Sequence, residues 1–211
     1  MSSSAASERV TLLPKLLLAT NNPGKVREYK HLLKNLPFEI VTLAEQGIKT
    51  AVDETGQSLE DNARLKAVTL AKESGLLTMA DDSGLEVDAL GGEPGPLSAR
   101  YAGEAASDKD RVNYLLARLK DVPWEKRSAR FRCVIALAMP GSEAELFSGE
   151  CQGFITFEPR GKQGFGYDPV FYLPELGKTM AELPLEMKSQ ISHRGQAAGK
   201  LRQKLERLAR S

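Results

Sequence analysis

The chain has 211 residues, 41% of them hydrophobic and 27% charged, and a formal net charge of +1 at pH 7. That size buries a real core in one large domain or two small lobes. Near-neutral charge and few aromatic residues argue against a broad nucleic-acid or membrane surface, and no apolar run approaches the roughly 18 residues that span a bilayer.

The first nine residues, MSSSAASER, are rich in Ser and Ala and lack the apolar centre of a signal peptide. Residues 1–14 read as a flexible N-terminal extension and 15–211 as a single domain. Cys133 and Cys151 lie far apart without metal-ligand spacing, which fits a reducing cytoplasmic setting and structural thiols.

Leu16, Leu17 and Leu18 predict a strand that runs into a polar loop, Thr20 to Lys25. A helix follows, with Asn22 as its cap, Pro23 in its first position and an apolar stripe of Val26, Tyr29, Leu33 and Leu36. Phe38 to Leu43 predicts the next strand. Ser58 and Asp61 predict the start of a second helix with Ala63, Ala67, Leu70 and Ala71 on one face, ended by Gly75. Leu76, Leu77, Met79 and Ala80 predict a short buried strand ending in Asp81 and Asp82, with Gly84 turning the chain sharply after it. Ser107 and Asp110 predict a third helix carrying Val112, Leu115, Leu116 and Leu119. Strands around Phe131–Met139 and Glu145–Thr156, joined by Pro140-Gly141, suggest a hairpin, and Gly195 to Ala209 a terminal helix. Alternating strands and helices plus a hairpin indicate an α/β fold with a mixed sheet.

Four regions carry chemistry. The loop Thr20-Asn21-Asn22-Pro23-Gly24-Lys25 leaves a strand and enters a helix, where backbone N–H groups, the helix dipole and Lys25 suit an anion; an ordinary capped turn is the competing reading. Asp82 at a strand end, together with Glu54, could complete an oxygen-rich Mg²⁺ site, while a plain Asp-Asp-Ser-Gly turn would also explain the acids. The segment Gly164 to Asp168 sets Phe165 between two glycines, either exposed to stack on a base or packed inward. Lys188, Ser192, His193 and Arg194 cluster before the predicted final helix, and Arg194, which offers only donors, suits an acceptor such as a carbonyl oxygen.

In order, the stretches ATNNPGK (Ala19–Lys25), ETG (Glu54–Gly56), NARLKA (Asn62–Ala67), ADDSGLEVDALGG (Ala80–Gly92), SARYAG (Ser98–Gly103), GFGYDPVF (Gly164–Phe171), KTMAEL (Lys178–Leu183) and KSQISHRGQA (Lys188–Ala197) resemble the inosine triphosphate pyrophosphatase family of non-canonical purine nucleoside triphosphate pyrophosphatases. The resemblance runs from Leu16 to the final helix. It implies an elongated α/β fold with a central mixed sheet flanked by helices, two lobes and an active-site cleft between them. It implies Mg²⁺-dependent hydrolysis of ITP, dITP and XTP to the monophosphate and pyrophosphate, cleansing the nucleotide pool, by a homodimer. The cysteine usage adds a cytoplasmic setting, and the charge and hydropathy add that neither nucleic acid nor membrane is a partner.

Residue by residue, the resemblance makes Asp82 the catalytic carboxylate and Glu54 with Asp82 the metal ligands. Thr20, Asn21, Asn22, Pro23, Gly24, Lys25 and Lys66 fall to the triphosphate, and Ser83 to a substrate contact. Phe165, Gly166, Tyr167 and Asp168 fall to the base and sugar, with Lys188, His193 and Arg194 reaching the base. Two roles compete at Asp82, since an acid bound to a metal is a poorer base than a free one. A pyrophosphatase for modified pyrimidine nucleotides and a non-hydrolysing nucleotide sensor are the alternative readings.

Overall fold

The computed structural model describes residues 13–210; the expected extension over 1–14 lies, but for its last two residues, outside them. Thirteen main elements follow one another: β1 (Lys15–Leu18), α1 (Pro23–Leu32), β2 (Glu39–Thr42), α2 (Leu59–Ser74), β3 (Leu77–Val87), β4 (Pro94–Gly95), α3 (Asp108–Arg118), β5 (Ser128–Ala138), β6 (Glu145–Ile155), β7 (Phe171–Leu173), β8 (Lys178–Thr179), α4 (Leu185–Ile191) and α5 (His193–Leu208). The strands form one mixed sheet in the order β2-β1-β3-β5-β6-β7-β8, with β4 paired beside β3. β2, β1 and β3 run parallel, and every pairing from β3 onward is antiparallel. No helix among the described residues is long and apolar enough to cross a membrane.

Side chains alternate across the pleat and divide the core. Leu16, Leu18, Met79 and Ile135 pack with Tyr29 of α1 and Ala197, Leu201 and Leu205 of α5 on one face. Leu17, Ala80, Val134 and Ala136 pack with Ala63, Ala67 and Leu70 of α2 on the other. Beyond them a third cluster gathers Leu85, Val87, Phe131 and Ile155 around Val112, Leu115 and Leu119 of α3. The two ends of the long strands β3, β5 and β6 thus belong to two lobes.

The helix starts follow local chemistry. Asn22 Oδ1 accepts from Lys25 N at 3.1 Å, Ser58 Oγ from Asp61 N at 3.1 Å, and Ser107 with Asp110 forms a full capping box. Two expectations fail. The strand of the acid pair does not end at Asp82, and Gly84 makes no turn: β3 runs on to Val87, paired with β5 from Thr78↔Ala138 to Val87↔Ala129. The glycine there serves close approach, since a Cβ on it would lie 2.3 Å from the Gly95 carbonyl oxygen. The terminal helix begins at His193, with Ser192 as its cap, so His193 and Arg194 occupy its first turn instead of the loop before it. Helix α4, also absent from the sequence reading, precedes it.

Candidate active site

The acid pair reaches a cleft by a gap in the sheet. β1 pairs with β3 only as far as Leu18↔Met79, and β4 takes up the same edge at Leu85↔Gly95. Between them the edge from Ala80 to Gly84 has no strand beside it among the described residues, and Asp82, Ser83 and Gly84 line a cleft of about 350 Å³. The strand end that opens the site is that of β1.

On opposite faces of β3 the two acids live differently. Asp81 is buried; its Oδ2 lies 2.9 Å from Lys25 Nζ and 3.6 Å from Arg194 Nη2. Burial alone would raise its pKa, but Lys25, Arg194 and Lys66 outweigh that and hold the carboxyl below its usual range. Asp82 faces α2, accepting from Asn62 Nδ2 at 3.0 Å, with Lys66 Nζ 3.7 Å from its other oxygen. Burial pushes its pKa up and the neighbouring Glu54 adds to this, while Lys66 and Lys25 offset only part. A raised carboxyl on the cleft wall is the better proton acceptor of the two.

Glu54 comes from the irregular segment before α2. Its Oε1 meets Lys66 Nζ at 2.6 Å, and its carbonyl accepts from Arg100 Nη2 at 3.2 Å. Burial is again opposed, here by Lys66, Lys25 and Arg100, which bring the Glu54 pKa below its ordinary value. Glu54 and Asp82 therefore converge on one ammonium. Among the described residues no cluster of three or more His, Cys, Asp or Glu could hold a metal. Two carboxylates nevertheless suit Mg²⁺, which fills its remaining positions with water and phosphate oxygens. The donor set fits.

The loop after β1 is self-capped: Asn22 N donates to Thr20 Oγ1 at 3.2 Å and Lys25 N to Asn22 Oδ1. Thr20, Asn21, Asn22 and Lys25 line the cleft, while Pro23 and Gly24 do not. Gly24 instead lies beneath Phe165, whose ring would be 2.5 Å from a Cβ placed there. Phe165 is half-buried, neither fully exposed nor packed into the core. The Lys188 ammonium lies 5.1 Å and the Arg194 guanidinium 5.3 Å from its ring centre. Gly166, Tyr167 and Asp168 also line the cleft, and Tyr167 Oη is fixed on the Ser98 carbonyl at 3.0 Å.

Behind this wall lies a buried ion-pair chain. Glu28 receives Lys188 Nζ at 2.8 Å on Oε1 and Arg194 Nη1 at 2.8 Å on Oε2, and Lys188 also pairs with Asp168. Lys188 is only 3% exposed and does not reach the cleft. Arg194 Nη2 donates to Ser83 Oγ at 3.0 Å. His193, stacked on Phe131 at 4.7 Å between ring centres, is neutral: burial, helped by Arg194, Lys188 and Lys25, holds its pKa well below 6.5. His193 Nδ1 and Arg194 Nε are buried with no hydrogen-bond partner among the described residues. Both residues line the cleft.

The sequence reading assigned no role to Glu28 or Asn62. Glu28 follows Lys25 by one helical turn, next to the apolar stripe, and that placement is its only local signal. Asn62 sits in the NARLKA stretch, where its side chain links Gly56 N (2.9 Å) to Asp82.

The sequence matches the model of the Ham1 family over residues 16–204. This chain belongs to the Ham1 family. Among similar curated proteins, the dITP/XTP pyrophosphatase of Bacillus subtilis is 45% identical over 195 residues, which is 92% of this chain and 98% of that one. The dITP/XTP pyrophosphatase of Geobacter sulfurreducens is 50% identical over 193 residues, 92% of this chain and 97% of the other. A Ham1 protein from Coxiella burnetii has the same fold, with a TM-score of 0.84 at 41% identity over 92% of this chain and 99% of that one. The Staphylococcus aureus Ham1 protein gives a TM-score of 0.81 at 43% identity, with 92% and 99% covered. The mixed sheet flanked by helices is thus the Ham1 fold, as the motif order implied.

Proposed function

We propose that this Ham1-family chain is an Mg²⁺-dependent nucleoside triphosphate pyrophosphatase that converts ITP, dITP and XTP to the monophosphate and pyrophosphate, acting as a cytoplasmic homodimer with residues 15–211 as its single domain. The observation that carries the chemistry is one cleft lined by two unlike sets of groups. Asp82, Glu54, Lys66 and Lys25 supply paired carboxylates and ammonium groups. The Phe165 ring, with His193 and Arg194, offers a stacking face and polar groups for a heterocycle. The names of the similar curated proteins support the substrate class, the sequence resemblance supports the dimer, and the two unpaired cysteines support the compartment.

Mg²⁺ held by Glu54 and Asp82 would neutralise phosphate charge and polarise the α-phosphoryl group. Lys66 and Lys25 carry positive charge to the side where pyrophosphate leaves. Asp82, on the cleft wall, is the carboxylate placed to take the proton of the water that attacks the α-phosphorus, a role that competes with holding the metal. Asn62 holds one Asp82 oxygen in place and leaves the other toward Lys66.

Selectivity follows from Arg194, which lines the cleft and offers only donors. Hypoxanthine and xanthine present an acceptor at O6. Adenine presents an amino group there, leaving donor against donor at a cost of about 1–3 kcal/mol. Guanine shares the O6 acceptor, so its rejection falls to crowding or unpaired groups near its 2-amino group. The test is product analysis with ITP, dITP, XTP, GTP and ATP, with and without Mg²⁺. Rapid release of pyrophosphate from ITP, dITP and XTP, and only with the metal, is expected. Orthophosphate as the product, or equal turnover of ATP and ITP, would sink the proposal.

A further inference from the structure

Two carboxylates grip consecutive amides of the loop that carries Phe165. Asp168 Oδ2 accepts from Phe165 N at 2.9 Å, and Asp108 Oδ2 accepts from Gly166 N at 2.7 Å. Asp168 is local to the loop and buried against Lys188. Asp108 comes from elsewhere, the first residue of α3, where the Ser107–Asp110 capping box fixes the helix start. Its second oxygen pairs with Arg111, whose Nη1 reaches the carbonyls of Ala99 at 2.9 Å and Ala106 at 2.6 Å. Asp108 and Arg111 line the same cleft as Phe165.

An acid in a first helical turn gains from the dipole whatever it touches. Asp108 is distinguished by dividing its two oxygens between a loop amide and an anchored guanidinium. Gly166 has φ 61°, a region that glycine visits freely, so its own backbone does little to hold this conformation. The grip on the amides does. With Phe165 N and Gly166 N both held, the ring is fixed between Gly24 below and the cleft above.

We propose that Asp108 is a positioning residue for base recognition: anchored by Arg111, it sets Phe165 at the height at which a purine stacks. This deepens the nucleotide reading above and rests on it. The effect falls on the nucleoside end of the substrate, because Asp108 touches none of Lys25, Lys66, Glu54 or Asp82.

Steady-state kinetics on ITP, with competitive inhibition by IMP and separately by pyrophosphate, test this in the wild type, Asp108→Ala and Asp108→Asn. Loss of a charge-assisted hydrogen bond predicts that Asp108→Ala raises KM and the IMP inhibition constant about tenfold, with kcat and the pyrophosphate constant within about twofold. Asp108→Asn keeps an acceptor for Gly166 N but loses the Arg111 pair, and falls between. Equal weakening toward IMP and pyrophosphate, or no weakening toward either, overturns the role of Asp108; if the alanine variant does not fold, the asparagine variant decides by the same comparison. A wild type that IMP does not inhibit would instead overturn the nucleotide reading itself, and the inference with it.

Discussion

Asp81 and Asp82 are adjacent in sequence yet serve opposite faces of β3: Asp81 meets Lys25 Nζ at 2.9 Å beneath the cleft, and Asp82 meets Asn62 Nδ2 at 3.0 Å on its wall. Their neutralisation should therefore have different consequences. Asp82→Asn is expected to lower kcat by at least about 100-fold with little change in melting temperature. Asp81→Asn strands Lys25 and Arg194 beside a neutral group and should cost about 3 kcal/mol of stability, the scale of a broken buried ion pair. Thermal melts beside initial rates check both; a folded, fully active Asp82→Asn enzyme would remove that carboxylate from the mechanism.

The pH dependence of stability should carry a mark of His193. Its folded pKa is well below 6.5 because burial and the neighbouring cations disfavour the imidazolium. Between the two values the unfolded chain binds a proton that the folded chain does not, so this contribution is complete above about pH 6.5 and is lost as pH falls below it, by at most about 1.4 kcal/mol per unit. The lowered carboxyls of Asp81 and Glu28 act in the same direction but only in the carboxylate range, at lower pH. Urea unfolding from pH 5.5 to 8 should show the first decline, and His193→Asn should flatten it. An unchanged slope in that variant would contradict the assignment.

Gly24 is predicted to be intolerant of a side chain. A Cβ there would sit 2.5 Å from the Phe165 ring, so the ring must swing away. Gly24→Ala should raise KM for ITP several-fold, about 1 kcal/mol of lost binding, while kcat changes little. A KM equal to that of the wild type would mean that the ring position is irrelevant to substrate.

Glu54 should govern metal demand. Glu54→Gln removes one of two carboxylates and is expected to raise the Mg²⁺ concentration for half-maximal rate at least about tenfold. Titration calorimetry with Mn²⁺ and a non-hydrolysable ITP analogue supplies a second readout. Identical metal affinity in the variant and the wild type would exclude Glu54 as a ligand.

Much of this molecule was legible from local chemistry. The caps at Asn22, Ser58 and Ser107 show in the sequence because a side-chain oxygen needs only an amide three residues on. The apolar stripes of α1, α2 and α3 were equally plain, since they repeat within a few turns. The order of the motifs was enough to indicate the family and its fold, and to nominate Glu54, Lys66, Asp82 and Phe165 together.

Only the tertiary structure decided how those residues divide their work. Gly84 reads as a turn until β5 is seen to pair straight past it, its partner Arg132 lying 48 residues downstream in the chain. Glu28 looks like a helix-surface acid until Arg194, 166 residues away, closes on it. Asp108 looks like a helix-start acid until Gly166, 58 residues away, donates to it. Caps and stripes are short-range and leave a pattern in the sequence. Ion pairs and amide grips between distant segments depend on sheet order and lobe packing, and these fix which carboxylate is buried as a counter-ion and which faces the cleft.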